Sequence, residues 1–324
     1  MSSSPRRLGP YEVLRRLGAG GMAEVYLARR YGAAGWDKLV AVKVLRPELR
    51  GRAELERLLI SEARLGARFA HPGLIHVHDL GFAEGTYYVC MDYVDGRDLA
   101  ALIRARPLPR ALALLVAEQL AAALAYVHAL TDRSGRPLGL VHRDVSPGNV
   151  LVSRTGEVKL SDFGIAKATA ERDETWGRLR LGKYAYMAPE QVTGERLGPA
   201  ADLFALAVTL HECLLARRPF VGETHLELME AIRSAHLGAE HDFGDLSVEL
   251  VELLRAKLAR DPALRLGEGA AGLARRLSAL RRAHPPVSSF DLAEWVAGVL
   301  VDAGESGVRP EPSFETLAMD EEPS

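Results

Sequence analysis

The chain has 324 residues, 48% of them hydrophobic and 26% charged, which suffices for two domains or one large bilobal one and rules out disorder throughout. A formal net charge of −2 provides no global basic field, so neither nucleic acid nor acidic lipid is an expected partner; Arg6-Arg7, Arg15-Arg16 and Arg29-Arg30 read as solvated faces. Cys90 and Cys213, the two cysteines, sit in apolar runs and read as small buried hydrophobes rather than a disulfide framework, which suits a reducing cytoplasm.

Residues 1–10 form an N-terminal extension without the apolar core of a signal peptide. Strands are predicted over 11–17, 25–28, 39–45 and 87–91 and a helix over 54–69, giving a small β-rich lobe at about 11–91 with 92–96 as its connector. From 97 to 282 the pattern turns helical: 109–130, 201–216, 225–236, 247–259 and 270–282 are predicted helices, several with proline or acidic residues near their starts. Within 283–302, AHPPVSSF reads as a linker, followed by a helix over 291–301 whose Leu292, Trp295, Val296, Val299 and Leu300 share one apolar face. The favoured reading docks this face on the domain's own surface; dimerisation or partner docking through 291–301 is the other. Residues 303–324 read as an acidic, flexible tail. Glu118-Gln119 and His211-Glu212 interrupt the longest apolar segments, so no membrane span is expected, and no repeat of solenoid length is present.

Residues 17–25, LGAGGMAEV, make a glycine-rich turn between two predicted strands, where backbone N–H groups can approach phosphates. On its own this turn also fits a dinucleotide-binding pattern or a hairpin with no ligand. Residues 39–45, LVAVKVL, alternate so that Ala41 and Lys43 share one face and Val40, Val42 and Val44 the other. Glu62 falls within the apolar stripe of the 54–69 helix. Desolvating either charge alone costs several kcal/mol, so Lys43 and Glu62 are expected to meet.

Residues 142–164, HRDVSPGNVLVSRTGEVKLSDFG, contain two short apolar runs, 150–153 and 158–161, joined by a four-residue glycine-containing turn, the pattern of a β-hairpin. Asn149 and Asp162 flank its open end and, with paired strands about 5 Å apart, can reach one cation; Asp144 lies on the same loop. An Asn/Asp pair suits Mg²⁺, which keeps few protein ligands beside substrate phosphates.

GAGGMAEV, VAVK, Glu62, HRDVSPGN, DFG, MAPE and Asp202, in that order, resemble bacterial Hanks-type, eukaryotic-like serine/threonine protein kinases over about residues 11–282. The resemblance implies an α+β, bilobal fold with ATP and Mg²⁺ (or Mn²⁺) in the cleft. It assigns Lys43 to the phosphates, Glu62 to orienting Lys43, Asp144 to accepting the substrate hydroxyl proton, and Asn149 with Asp162 to the metal. Gly18, Gly20 and Gly21 would approach the phosphates, and Leu17, Val25, Ala41 and Leu151 would sandwich adenine beside Met91. The backbones of Asp92 and Val94 would bond adenine's edge and Asp98 would reach the ribose. Asp202, read physically as a helix N-cap, would brace the catalytic loop; Glu190 would pair with Arg265; His142 and Phe163 would pack in a column joining the lobes. His71, His76 and His78 match the connection after the helix rather than a zinc site.

Ala23 replaces a third loop glycine, Ser146 stands where such kinases carry a lysine, Lys183 stands at a usual threonine, and residues 131–140 lengthen the link into the catalytic loop. The primary expectation is an active kinase phosphorylating protein substrates, with Thr175 and Thr169 as candidate regulatory phosphosites. A nucleotide-binding pseudokinase or scaffold is the alternative, resting on Ser146 and Lys183. A small-molecule kinase comes third, opposed by the peptide-positioning character of 182–190.

Overall fold

The computed structural model describes residues 7–164, 184–238 and 240–302. A six-stranded antiparallel sheet forms the first lobe from β1 (Arg7–Leu8), β2 (Tyr11–Ala19), β3 (Ala23–Tyr31), β4 (Asp37–Leu45), β5 (Val77–Ala83) and β6 (Thr86–Asp92), in the order β1-β2-β3-β4-β6-β5. The alternation in β4 sorts its side chains as predicted. Val40, Val42 and Val44 join Leu8, Tyr11, Tyr26, Tyr88 and Cys90 in one apolar cluster, while Leu45 packs on the other face with Leu59 and Ala63 of helix α1 (Ala53–Gly66).

Three departures from the predicted pattern have local causes. The sheet begins at Arg7–Leu8, inside the expected extension, because Leu8 is wholly buried in the outer cluster. Strand β5, VHDLGFA, was not predicted: Gly81 interrupts its pattern, and a β-carbon there would lie 2.2 Å from the Tyr88 hydroxyl across the sheet. Helix α1 ends at Gly66, which leaves Phe69 beyond the helix and free to pack between the lobes.

The second lobe is built on two buried helices, α3 (Arg110–His128) and α5 (Pro199–Leu215). Around them lie α2 (Leu99–Ala105), α4 (Pro189–Val192), α6 (His225–Ser234), α7 (Val248–Lys257), α8 (Pro262–Leu266), α9 (Gly269–Arg281) and α10 (Ser289–Asp302). Among the described residues, α3 alone is long and apolar enough to cross a membrane; here it is a core helix, and Glu118, which interrupts its apolar run, bonds Arg281 at 2.8 Å. A three-stranded sheet, β7 (Gly96–Asp98), β8 (Val150–Ser153) and β9 (Val158–Leu160), joins the 92–96 connector to the 142–164 segment. A β-carbon at Gly96 would fall 1.9 Å from the Val152 carbonyl oxygen, so β7 approaches β8 this closely only as glycine. The extended 131–140 link folds on itself, with Asp132 accepting from Ser134 and Arg136.

Helix α10 packs against α2 and β8 and buries Leu292, Trp295, Val296, Val299 and Leu300 there. The apolar face of 291–301 is thus covered by the chain itself, in line with the favoured reading.

His211 is fully buried in α5. Its Nδ1 donates to the Arg217 carbonyl at 2.8 Å, so its Nε2 accepts from His241 Nε2 at 3.0 Å. Desolvation pushes the His211 pKa down to about 4, against about 6.5 in the unfolded chain. Between those values the unfolded chain binds a proton that the folded chain does not, so stability present above about pH 6.5 is lost as pH falls toward 4, on the order of 3 kcal/mol in all. Thermal melts at pH 7 and pH 5 should show a lower midpoint at pH 5, with a smaller difference in His211→Gln.

Candidate active site

Lys43 occupies the middle of β4, paired with Val25 on one side and Val89 on the other. Both flanking strands hold its backbone, and the alternation aims its side chain at Glu62 of α1 and at Asp162. Its Nζ donates to Glu62 Oε1 and to Asp162 Oδ1, each at 2.7 Å. Burial alone would lower the Lys43 pKa, but the facing Asp162 and Glu62 carboxylates outweigh it and hold the ammonium above its ordinary range. Burial raises the Glu62 pKa; Lys43 opposes that shift, and the like charge of Asp162 adds to it. One cation is thus clamped between two carboxylates that come from different lobes.

Asp202 organises the loop that carries Asp144. Helix α5 begins at Pro199 with Gly198 as its cap, so the N-cap reading of Asp202 is corrected: the residue lies inside the first turn and points inward. Its carboxylate accepts from the backbone N–H groups of His142 and Arg143, both at 2.8 Å, and contacts His128 Nε2 at 2.8 Å. Arg143 has φ 69°, a left-handed conformation that the two carboxylate bonds hold in place. The His142 ring packs on Phe163, which packs on Phe69, with centroids 4.4 and 4.6 Å apart; this is the inferred column between the lobes. Burial lowers the His142 pKa despite Asp202 and Asp144.

The hairpin brings the metal candidates together as its register requires. Leu151 pairs with Lys159 and Val150 with Leu160, and the Ser161 N–H donates to the Asn149 carbonyl at 2.9 Å. Asn149 Nδ2 donates to the Asp144 carbonyl at 2.8 Å, which turns the amide nitrogen toward the 142–146 loop. Asp162 has φ 57°. Asp144 is buried, with its N–H 3.3 Å from His142 Nδ1. Glu190 and Arg265 form the expected ion pair, fully buried, and Arg265 also donates to the Ala259 and Arg260 carbonyls.

A cleft of about 790 Å³ opens beside these groups, lined by Leu17, Gly18, Gly20, Val25, Ala41, Met91, Val94, Asp98, Asn149, Leu151 and Asp162 among others. Gly21 and Lys43 are not part of this lining; Lys43 lines a smaller adjoining cavity with Glu62, and Asp162 borders both. A β-carbon at Gly18 would meet nothing within 4 Å, so the glycine leaves open space that a phosphate can use. The Asp92 N–H donates to the His76 carbonyl at 3.0 Å. Its side chain bonds His78 at 2.8 Å. Asp98 lines the cleft while its Oδ1 caps α2 through the Ala101 N–H at 2.8 Å. An apolar slot, a glycine turn, one clamped cation and an Asn/Asp pair together fit a nucleotide with a divalent cation.

Sequence reasoning missed two groups. Ser161 lines the cleft and donates to the Asn149 carbonyl at 3.0 Å. Gln191, buried in α4, donates to the Arg143 carbonyl at 3.1 Å and accepts from the Ala188 N–H at 3.0 Å, tying the MAPE segment to the loop that carries Asp144. Their only sequence signal was position beside a motif. Ser146 is buried, and its hydroxyl has no hydrogen-bond partner among the described residues. Thr169, Thr175 and Lys183 lie outside the described residues.

The family model described as the protein kinase domain matches residues 11–276. The chain belongs to the protein kinase domain family. This kinase domain is 40% identical over 262 residues to the tyrosine-protein kinase MasK of Myxococcus xanthus, covering 78% of the chain and 40% of that protein. It is 36% identical to the serine/threonine-protein kinase PrkC of Bacillus subtilis, over 72% of the chain and 34% of the relative. With the serine/threonine-protein kinase PknA of Mycobacterium tuberculosis the identity is 37%, over 81% of the chain and 59% of the relative. The chain therefore spans between about a third and three-fifths of these relatives' lengths.

Proposed function

We propose that this chain transfers the γ-phosphoryl group of ATP, with Mg²⁺, to serine and threonine hydroxyls of proteins, itself included. The carrying observation is Lys43 Nζ held at 2.7 Å from both Glu62 and Asp162, with Asp144 and Asn149 joined by a hydrogen bond on the adjoining loop. Asn149 and Asp162 would hold the metal, which supplies charge neutralisation for the phosphates. Lys43 orients the phosphates, Glu62 keeps Lys43 pointed at them, and Asp144 accepts the proton of the incoming hydroxyl. Retention of all these charged groups weighs against a pseudokinase. A cytoplasmic setting fits Cys90 and Cys213, both free and buried.

Serine/threonine preference draws on the names of relatives such as PrkC and PknA and on Pro147 in the catalytic loop. MasK, described as a tyrosine kinase at 40% identity, supports a second reading, tyrosine transfer. Phosphoamino-acid analysis of the autophosphorylated chain separates them: phosphoserine and phosphothreonine are expected, and phosphotyrosine as the main product overturns the preference. Thr175, or else Thr169, is the proposed activating site, where a phosphate adds about −1.5 to −2 charge that an arginine such as Arg143 can pair with. Mass spectrometry of active protein should find phosphate at Thr175; its absence from both threonines removes this mechanism.

A further inference from the structure

We propose that α10, which lies beyond the residues matched by the family model, positions the adenine floor, so that seating of α10 and nucleotide binding are coupled. The inference rests on the nucleotide reading of the cleft. Along β8 the side chains alternate: Leu151 lines the cleft, while Val150 and Val152 enter the same buried cluster as Leu292, Trp295 and Val296 of α10 and Leu99 and Leu102 of α2. The helix also packs directly on β8 and α2, so it touches the strand on which adenine would rest. Asp98, which pairs with Leu151 in the register of β7 and β8, also caps α2, so connector, floor and α10 share one packing unit.

The contact is close and locally built. Gly156, at the turn of the β8–β9 hairpin, has φ 79°, and a β-carbon there would lie 1.8 Å from the Ser289 carbonyl oxygen and 3.1 Å from the Ala293 nitrogen. Only glycine lets the hairpin touch the helix this way. Ser288 fixes the start of α10, with its N–H and hydroxyl both 2.7 Å from Asp291 Oδ2. Arg281 ties the linker down, bonding Glu118 at 2.8 Å and the Val287 carbonyl at 3.2 Å.

Coupling of two binding events is reciprocal, so nucleotide must tighten α10 if α10 tightens nucleotide. Amide hydrogen exchange on the full chain, with and without a non-hydrolysable ATP analogue plus Mg²⁺, reads this directly. We expect exchange in 289–302 to slow about fivefold or more, together with 17–25 and 150–153. Slowing at 17–25 and 150–153 with 289–302 unchanged overturns the coupling alone; no slowing anywhere overturns the nucleotide reading and the coupling with it. Leu292→Ala should raise KM for ATP about fivefold with kcat nearly constant, as expected when ground-state and transition-state binding fall together. Leu292→Met should restore KM. A loss of folded protein with KM unchanged would reduce α10 to a structural role.

Discussion

Replacing Lys43 with methionine lowers phosphoryl transfer about 10²–10³-fold, the usual loss when one preorganised charge is removed from a developing oxyanion, and leaves the chain folded. The ammonium is the one group that both Glu62 and Asp162 face at 2.7 Å. Methionine keeps much of the stem's volume and packing but none of the charge. Two carboxylates then remain near each other in a partly buried cleft, and Glu62, whose pKa burial already raises, loses the cation that opposes that rise. The site borders an open cleft, so water re-enters, and the stability loss stays at about 1–2 kcal/mol rather than the 3–5 of a fully buried broken pair. Transfer rate per folded molecule and the thermal midpoint, measured together, check this. A purely structural lysine gives the opposite result, with activity per folded molecule kept and the midpoint lowered.

Asp144→Asn is expected to cost about 10²–10⁴ in kcat, the range for loss of a positioned general base, while ATP still binds. The side chain keeps its shape. The contacts that place the loop are made mainly by other atoms: Asp202 receives the His142 and Arg143 N–H groups, and Asn149 donates to the Asp144 backbone carbonyl. What disappears is the proton acceptor and its charge. Asp162→Ala differs in kind, because it removes the proposed metal ligand and a hydrogen-bond partner of Lys43 at once. It should therefore weaken binding of the ATP–metal complex as well as transfer, and titration of a fluorescent ATP analogue into both variants distinguishes the two modes of loss.

How far such residues could be read beforehand depended on whether their signal was local. Lys43 and Glu62 were legible because each interrupts an apolar stripe of known period, and two inward charges need each other. The Asn149–Asp162 pair was legible because hairpin pairing converts sequence separation into proximity. Asp202 was misread on physical grounds alone: an acid near a helix start looks like a cap, but Pro199 moves the start earlier and turns the carboxylate toward the His142 and Arg143 backbone. The resemblance to kinases supplied its correct role. Ser161 and Gln191 bond to backbone carbonyls distant in sequence, and no periodicity reports such contacts. For α10 the apolar face was plain, yet the surface it covers is assembled from α2 and β8, which come together only in the folded chain.

The most direct test incubates the purified chain with γ-labelled ATP, with Mg²⁺ and after chelation, beside Asp144→Asn and Asp162→Ala. Label incorporated into serine or threonine in the presence of Mg²⁺, abolished by chelation and suppressed in both variants, is the predicted result. ATP binding without label on the chain or on a generic protein substrate, or equal labelling in Asp144→Asn, would contradict catalysis at this site.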